Sequence, residues 1–154
     1  MAGCFGRHSG SKAGRAQAHH ASSSQEPSPS LLTGGSQPIW NNNRTAFVAV
    51  NGEIYNHQEL KSQLAIPYNF STQSDCEVIL PLYQEHGEKA LEKVNGMFAL
   101  AVWDSQQQEL FLARDRFGIK PLYYWTGDDI FVFGSTLWSV LCHPEVRSEE
   151  HTSE

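Results

Sequence analysis

Three short stretches of this sequence gather side chains able to do chemistry. Asn51-Gly52-Glu53 sets a carboxamide, a glycine and a carboxylate in succession at the end of an apolar run. Taken alone, an Asn-Gly pair reads as a turn, and a carboxylate just after a buried strand calls for a cationic partner. Ser74-Asp75-Cys76-Glu77 carries two acids and a thiol at a helix start, and Asp75 fits the place of a first-turn acid favoured by the helix dipole. Residues 114–122 read as a hairpin turn in which Gly118 supplies a permissive backbone. Cys4, Cys76 and Cys142 form no Cys-x-x-Cys pair, which excludes a zinc knuckle or a disulfide framework. Cys76 and Cys142 read as buried small apolar residues rather than nucleophiles. The seven histidines show no ligand spacing, so no metal site is expected. Asn43-Arg44-Thr45 and Asn69-Phe70-Ser71 match a glycosylation pattern, which means little without a secretory segment.

The elements that would hold these residues follow from periodicity. Residues 45–50 are rich in β-branched and apolar side chains and read as a strand ended by Asn51-Gly52. Leu60 and Leu64 are four apart and predict a helix over 56–64, ended by Pro67. Ser74 and Glu77 read as the two halves of a capping box. Val78, Ile79, Leu82 and Tyr83 continue that helix, with a kink or a broken last turn expected from Pro81. A short helix over 87–94 ends at Asn95-Gly96. Residues 97–103 are apolar at every position, so that strand must be covered on both faces. Strands at 109–113, 121–125 and 130–133 follow with short turns, which predicts an antiparallel meander of four. An amphipathic piece over 137–141 closes the pattern. Antiparallel strands buried on both faces, with helices outside, give a layered sandwich.

Composition divides the chain. Its 154 residues amount to about one domain. Eleven basic against 17 acidic residues leave a net charge of −6, the wrong sign for a nucleic-acid partner. No apolar run approaches the roughly 20 residues of a membrane span, and none in the first thirty serves as a secretory h-region. A soluble, cytoplasmic protein is expected. Residues 1–30 hold five Ala, four Gly and seven Ser, too little apolar surface to offset ordering entropy, and are read as disordered. Residues 31–146 are the globular part. Residues 147–154 are polar, resemble the translated start of a sequencing adapter, and read as a non-native tail.

Asn51-Gly52-Glu53-Ile54-Tyr55-Asn56-His57 resembles a signature of class II glutamine amidotransferase domains, in the form found in glutamine-hydrolysing asparagine synthetases. Residues 95–104, residues 114–122 and Ser74-Asp75-Cys76-Glu77 resemble further segments of that family, in its order, over about residues 34–146. The resemblance implies an α+β fold: an N-terminal-nucleophile-hydrolase-like layered αββα sandwich of mainly antiparallel sheets, incomplete here. It implies attack on the side-chain amide of glutamine by an N-terminal cysteine whose own α-amine is the base. Asn51 and Gly52 would supply the oxyanion hole, and Glu53 and Asp75 would hold the α-ammonium of glutamine. Ammonia would pass to a C-terminal synthetase domain, with ATP and Mg²⁺ bound there and no cofactor in this fragment, and a homodimeric parent is expected. The alternatives are another class II amidotransferase, forming phosphoribosylamine or an amino sugar phosphate, and a catalytically dead domain that binds glutamine or a partner.

The start of the chain departs from that pattern. The family begins Met-Cys-Gly-x-x-Gly, whereas this chain begins Met1-Ala2-Gly3-Cys4-Phe5-Gly6. Ala2 stands at the nucleophile position and has no thiol, so this chain is expected to be inactive. Cys4 lies two residues further in, where its nitrogen is an amide and cannot act as base. The family's Arg-Leu-Ser-Ile strand, whose arginine would bind the substrate carboxylate, has no match, and Leu31-Leu32 reads as its remnant.

Overall fold

The computed structural model describes residues 3–9, by their backbone, and residues 36–147. Its larger sheet runs β1-β5-β4-β3-β2, every neighbour antiparallel. The strands are β1 (Gly3–Ser9), β2 (Ile39–Trp40), β3 (Ala46–Ile54), β4 (Gly96–Asp104) and β5 (Glu109–Arg114). β4 lies in the middle because its apolar run must be covered twice: every residue from Phe98 to Val102 is buried. Phe98, Leu100 and Val102 join Val48, Val50 and Ile54 in the core that the helices cover. Ala99 and Ala101 are buried on the opposite face, toward a separate two-stranded sheet of β6 (Tyr123–Thr126) and β7 (Phe131–Gly134). The layers run helices, large sheet, small sheet, with α3 (Leu137–Leu141) packed on β6 and β7 and α4 (Pro144–Arg147) after it. This is the α+β, mainly antiparallel layering expected of the sequence.

Several local expectations are corrected. Asn51-Gly52 is not a turn. β3 continues through it to Ile54, with Asn51 opposite Ala99 and Gly52 opposite Phe98. The four-strand meander does not form: β4 pairs β5 in one sheet and β6 pairs β7 in another. The chain leaves the first sheet at Asp115, whose carboxylate gathers the following backbone. Gly3–Ser9, within the stretch read as disordered, is β1 on β5. Strand pairing uses backbone donors and acceptors, so a composition poor in large apolar residues did not forbid it. The rest of residues 1–30, and residues 148–154 of the tail, lie outside the described residues.

The helices are shorter than the periodicity predicts. α1 spans His57–Ser62, a 3₁₀ turn Asp75–Val78 leads into α2 (Ile79–His86), and Gly87–Glu92 is again 3₁₀. Pro81 breaks nothing. It is the third residue of α2, where the winding has just passed from the 3₁₀ turn to the α-helix. Ser74 caps as expected, accepting from the Cys76 N–H at 3.2 Å. Glu77 does not complete a capping box. Its fully buried carboxylate accepts instead from the Ser71 N–H and hydroxyl (2.7 and 3.0 Å) and the Thr72 N–H and hydroxyl (2.7 and 2.6 Å). Glu77→Gln turns one acceptor into a donor facing donors, and should cost about 2 kcal/mol. A loss below about 0.5 kcal/mol in urea unfolding would refute this role.

Candidate active site

Asn51 and Gly52 sit at the meeting of a cleft and a strand edge. The cleft, about 210 Å³, lies between the two sheets. Ala49, Ala99 and Ala101 line it together with Leu122 and Phe133, and so do Gln37 and Asn51, the latter opposite Ala99. Ala49 opposite Ala101, with Ala99 beside them on the same face, leaves the space that larger side chains would fill. One row of Cα partners crosses the sheet at this level: Gly3, Arg114, Ala99, Asn51. The chain start therefore reaches the row that carries Asn51. Cys4 pairs with Ala113, one row away.

The edge of β3 gives the site its order. In an antiparallel ladder, the polar groups of alternate residues point to the same edge. Val48, Val50, Gly52 and Ile54 therefore address the β2 side. Val48 is paired with Ile39. Gln37 bonds both polar groups of Val50, its Nε2 donating to the carbonyl at 2.7 Å and its Oε1 accepting from the N–H at 2.6 Å. Ile54 donates to Asp75 Oδ2 at 2.6 Å. Gly52 stands between these two anchors. Its backbone, at φ +147°, runs so close to β4 that a Cβ would overlap the Met97 carbonyl and lie 2.7 Å from Phe98 Cα. Glycine is required there by approach and by conformation together.

Acidic groups collect at the far end of this edge. Cys76 Sγ lies 3.9 Å from the Gly52 carbonyl and 3.5 Å from Asp75 Oδ1. Burial first, then the charge of Asp75 and a bond to it, with a smaller contribution from Glu53, push this thiol up to about 12. Cys76 is thus the buried, unreactive residue expected. Cys142 is not: it is exposed after α3. Glu53 and Asp75, brought near one thiol from different elements, form a negative end to the slot beside Gly52.

Two side chains that the sequence reading did not single out hold the site in place. Asn56 accepts from the Asn95 N–H and donates to the Lys93 carbonyl, both at 2.9 Å, while the backbone N–H of Tyr55 donates to the Asn95 carbonyl at 2.8 Å. This ties the end of β3 to the start of β4. Asp115 is buried and accepts from the N–H groups of Phe98, Phe117, Ile119 and Lys120 at 2.9–3.3 Å. Arg114 Nη2 closes the same loop on the Gly118 carbonyl at 2.9 Å, with Gly118 at φ +63°. Residues 114–122 are thus a structural turn, but not the hairpin expected, since they carry the chain from β5 to β6 in the other sheet; the Asp-x-x-Gly spacing was the available signal for Asp115.

Burial opposes the Asp115 charge, but the N–H groups of Lys120, Ile119, Phe98 and Phe117 outweigh it and hold the carboxyl below its usual 3.8. A folded value below the unfolded one adds stability above the unfolded value, and this is lost as pH falls through the folded value. Asp115→Asn should therefore flatten the loss of stability between about pH 5 and pH 2. Urea midpoints across that range measure it, and an unchanged slope contradicts it.

No helix among the described residues is long and apolar enough to cross a membrane. No cluster of three or more His, Cys, Asp or Glu side chains among them could hold a metal ion.

A layered antiparallel sandwich with its cleft between the sheets is the fold of N-terminal-nucleophile amidotransferases. The chain superposes on glutamine phosphoribosylpyrophosphate amidotransferase from Bacillus subtilis with a TM-score of 0.50, over 64% of this chain and 24% of that one, at 24% identity. A family model described as a glutamine amidotransferase domain matches residues 30–153, and the chain belongs to that family. Its relatives include glutamine-hydrolysing asparagine synthetase 2 of Bacillus subtilis (strain 168), 46% identical over 73% of this chain. Asparagine synthetase B of Escherichia coli (strain K12) is 50% identical over 60% of it, and the Zea mays asparagine synthetase 46% over 68%. The chain spans only 15–18% of the length of these relatives.

Proposed function

We propose that this chain is a glutamine-binding part of an asparagine synthetase type of amidotransferase, and that as it stands it binds L-glutamine without hydrolysing it. The observation that carries this reading is the placement of the Asn51 carboxamide and the Gly52 edge together, between the cleft and the Asp75 carboxylate. A tetrahedral oxyanion needs preorganised donors, and the Asn51 side chain and the Gly52 N–H would provide them. Glu53 and the lone pairs of Asp75 not engaged by Ile54 would take the α-ammonium. Ala2 stands where the nucleophile belongs and offers no thiol. Cys4 does not replace it, since its nitrogen is an amide without base function.

In a complete protein of this type, ammonia would pass to a synthetase portion that amidates aspartate, using ATP and Mg²⁺ bound outside this chain. A homodimer and a cytoplasmic setting belong to the same reading. The free thiols of Cys76 and Cys142 support a reducing compartment. The names of the relatives favour this reading over a phosphoribosylamine-forming one.

Calorimetry tests it. L-Glutamine should bind, Asn51→Ala and Asp75→Asn should each weaken binding about tenfold or more, and no ammonia should appear. Absence of binding at millimolar L-glutamine would overturn the assignment.

A further inference from the structure

We infer that Gln37 is a positioning residue of this site. Its carboxamide stands in for one residue of a strand on the edge of β3, and so holds Val50 while leaving the Gly52 N–H to a ligand. This rests on the reading of the slot as a glutamine site.

The geometry is that of a ladder rung made by a side chain. A primary amide has the donor and acceptor of a backbone peptide on one edge, and Gln37 presents both to Val50 at 2.7 and 2.6 Å. Among the described residues, β2 supplies only Ile39 and Trp40 to β3. Pro38 has no N–H with which to prolong it. A true strand running past Val50 would go on to the next outward-facing pair, that of Gly52. A side chain supplies a single rung and stops. Asparagine is one methylene shorter, and glutamate would set a second acceptor against the Val50 carbonyl. Gln37 also lines the cleft together with Asn51. It therefore fixes the residue before Asn51 from the side on which a ligand would approach Gly52.

Amide hydrogen exchange on the ¹⁵N-labelled full chain tests this directly. In the unsubstituted protein, the Val50 amide should be protected and the Gly52 amide should exchange far faster. Gln37→Ala should lower Val50 protection about tenfold or more while Leu100 and Val102 keep theirs. Gln37→Glu keeps an acceptor for the Val50 N–H but sets a second oxygen against the Val50 carbonyl, and should lower protection less. L-Glutamine should shift the Gly52 amide resonance in the unsubstituted chain, and about tenfold more of it should be needed in the Gln37→Ala variant. The inference is overturned if Gly52 is as protected as Val50. It is also overturned if Val50 is indifferent to both substitutions, or if Leu100 and Val102 lose protection by the same factor, since Gln37 is then merely part of the general stability. Should L-glutamine fail to bind the unsubstituted chain while the exchange pattern holds, the glutamine assignment falls and the Gln37 clamp stands.

Discussion

Ala2→Cys should yield a chain that releases ammonia from L-glutamine, and removing Asn51 from that variant should cut the rate about 10²–10³-fold. With the initiator methionine removed, the introduced cysteine would carry a free α-amine titrating near 7.7–8.0, a base poised close to neutral pH. Had residues 1–30 lain wholly outside the fold, this single change would be expected to fail. Gly3 instead pairs with Arg114, in the row that ends at Asn51. The register brings the residue next in sequence to a new nucleophile to the level of Asn51, the proposed oxyanion donor. The family's arginine strand has no counterpart here, so the Michaelis constant should be high while turnover reports the nucleophile and Asn51. A coupled glutamate assay reads both. Silence from the Ala2→Cys chain, or a loss below tenfold on Asn51→Ala, would count against the site as drawn.

Gly52→Ala should unfold the domain or nearly so. The new methyl would press on the Met97 carbonyl and lie 2.7 Å from Phe98 Cα, at a φ of +147° that side chains rarely adopt. Neither obstacle can rotate away, because both belong to the backbone of the buried central strand. Strain and clash together should cost about 4 kcal/mol or more, against roughly 5–15 kcal/mol for a whole domain. Urea denaturation followed by circular dichroism measures it. A variant within about 1 kcal/mol of the parent would mean that β3 and β4 can separate at this point.

The two central strands were legible because burial on both faces leaves an unbroken apolar run, as in Met97 to Trp103. The Asn51, Gly52, Glu53 and Asp75 set came from motif resemblance, and the fold gathers it along one strand edge and one helix start. Other features were illegible for definite reasons. β1 is held by backbone pairing, which composition does not report. Asn-Gly looks like a turn unless one knows that β4 lies against Gly52. The division of the strands into two sheets depends on how Asp115 spends its lone pairs on four N–H groups, a tertiary fact. Glu77 matched a capping pattern, yet Ser71 and Thr72 offer it more donors than its own helix end does. Gln37 acts across thirteen residues of sequence on Val50, a distance at which spacing carries no signal.

Oxidants would meet the two described cysteines on unequal terms. Peroxides and disulfides react with the thiolate. A thiol pushed to about 12 is ionised to only about one part in 10⁵ at neutral pH. Cys76 is buried as well, whereas the sulfur of Cys142 lies open to solvent. Damage by air would therefore begin at the surface, after α3, and spare the sulfur beside Gly52. Burial denies Cys76 its anion first, and Asp75 and then Glu53, the proposed partners of an ammonium group, add to it. If Ala2→Cys puts a thiol at the chain start, burial and these carboxylates together keep Cys76 from competing for the same electrophile.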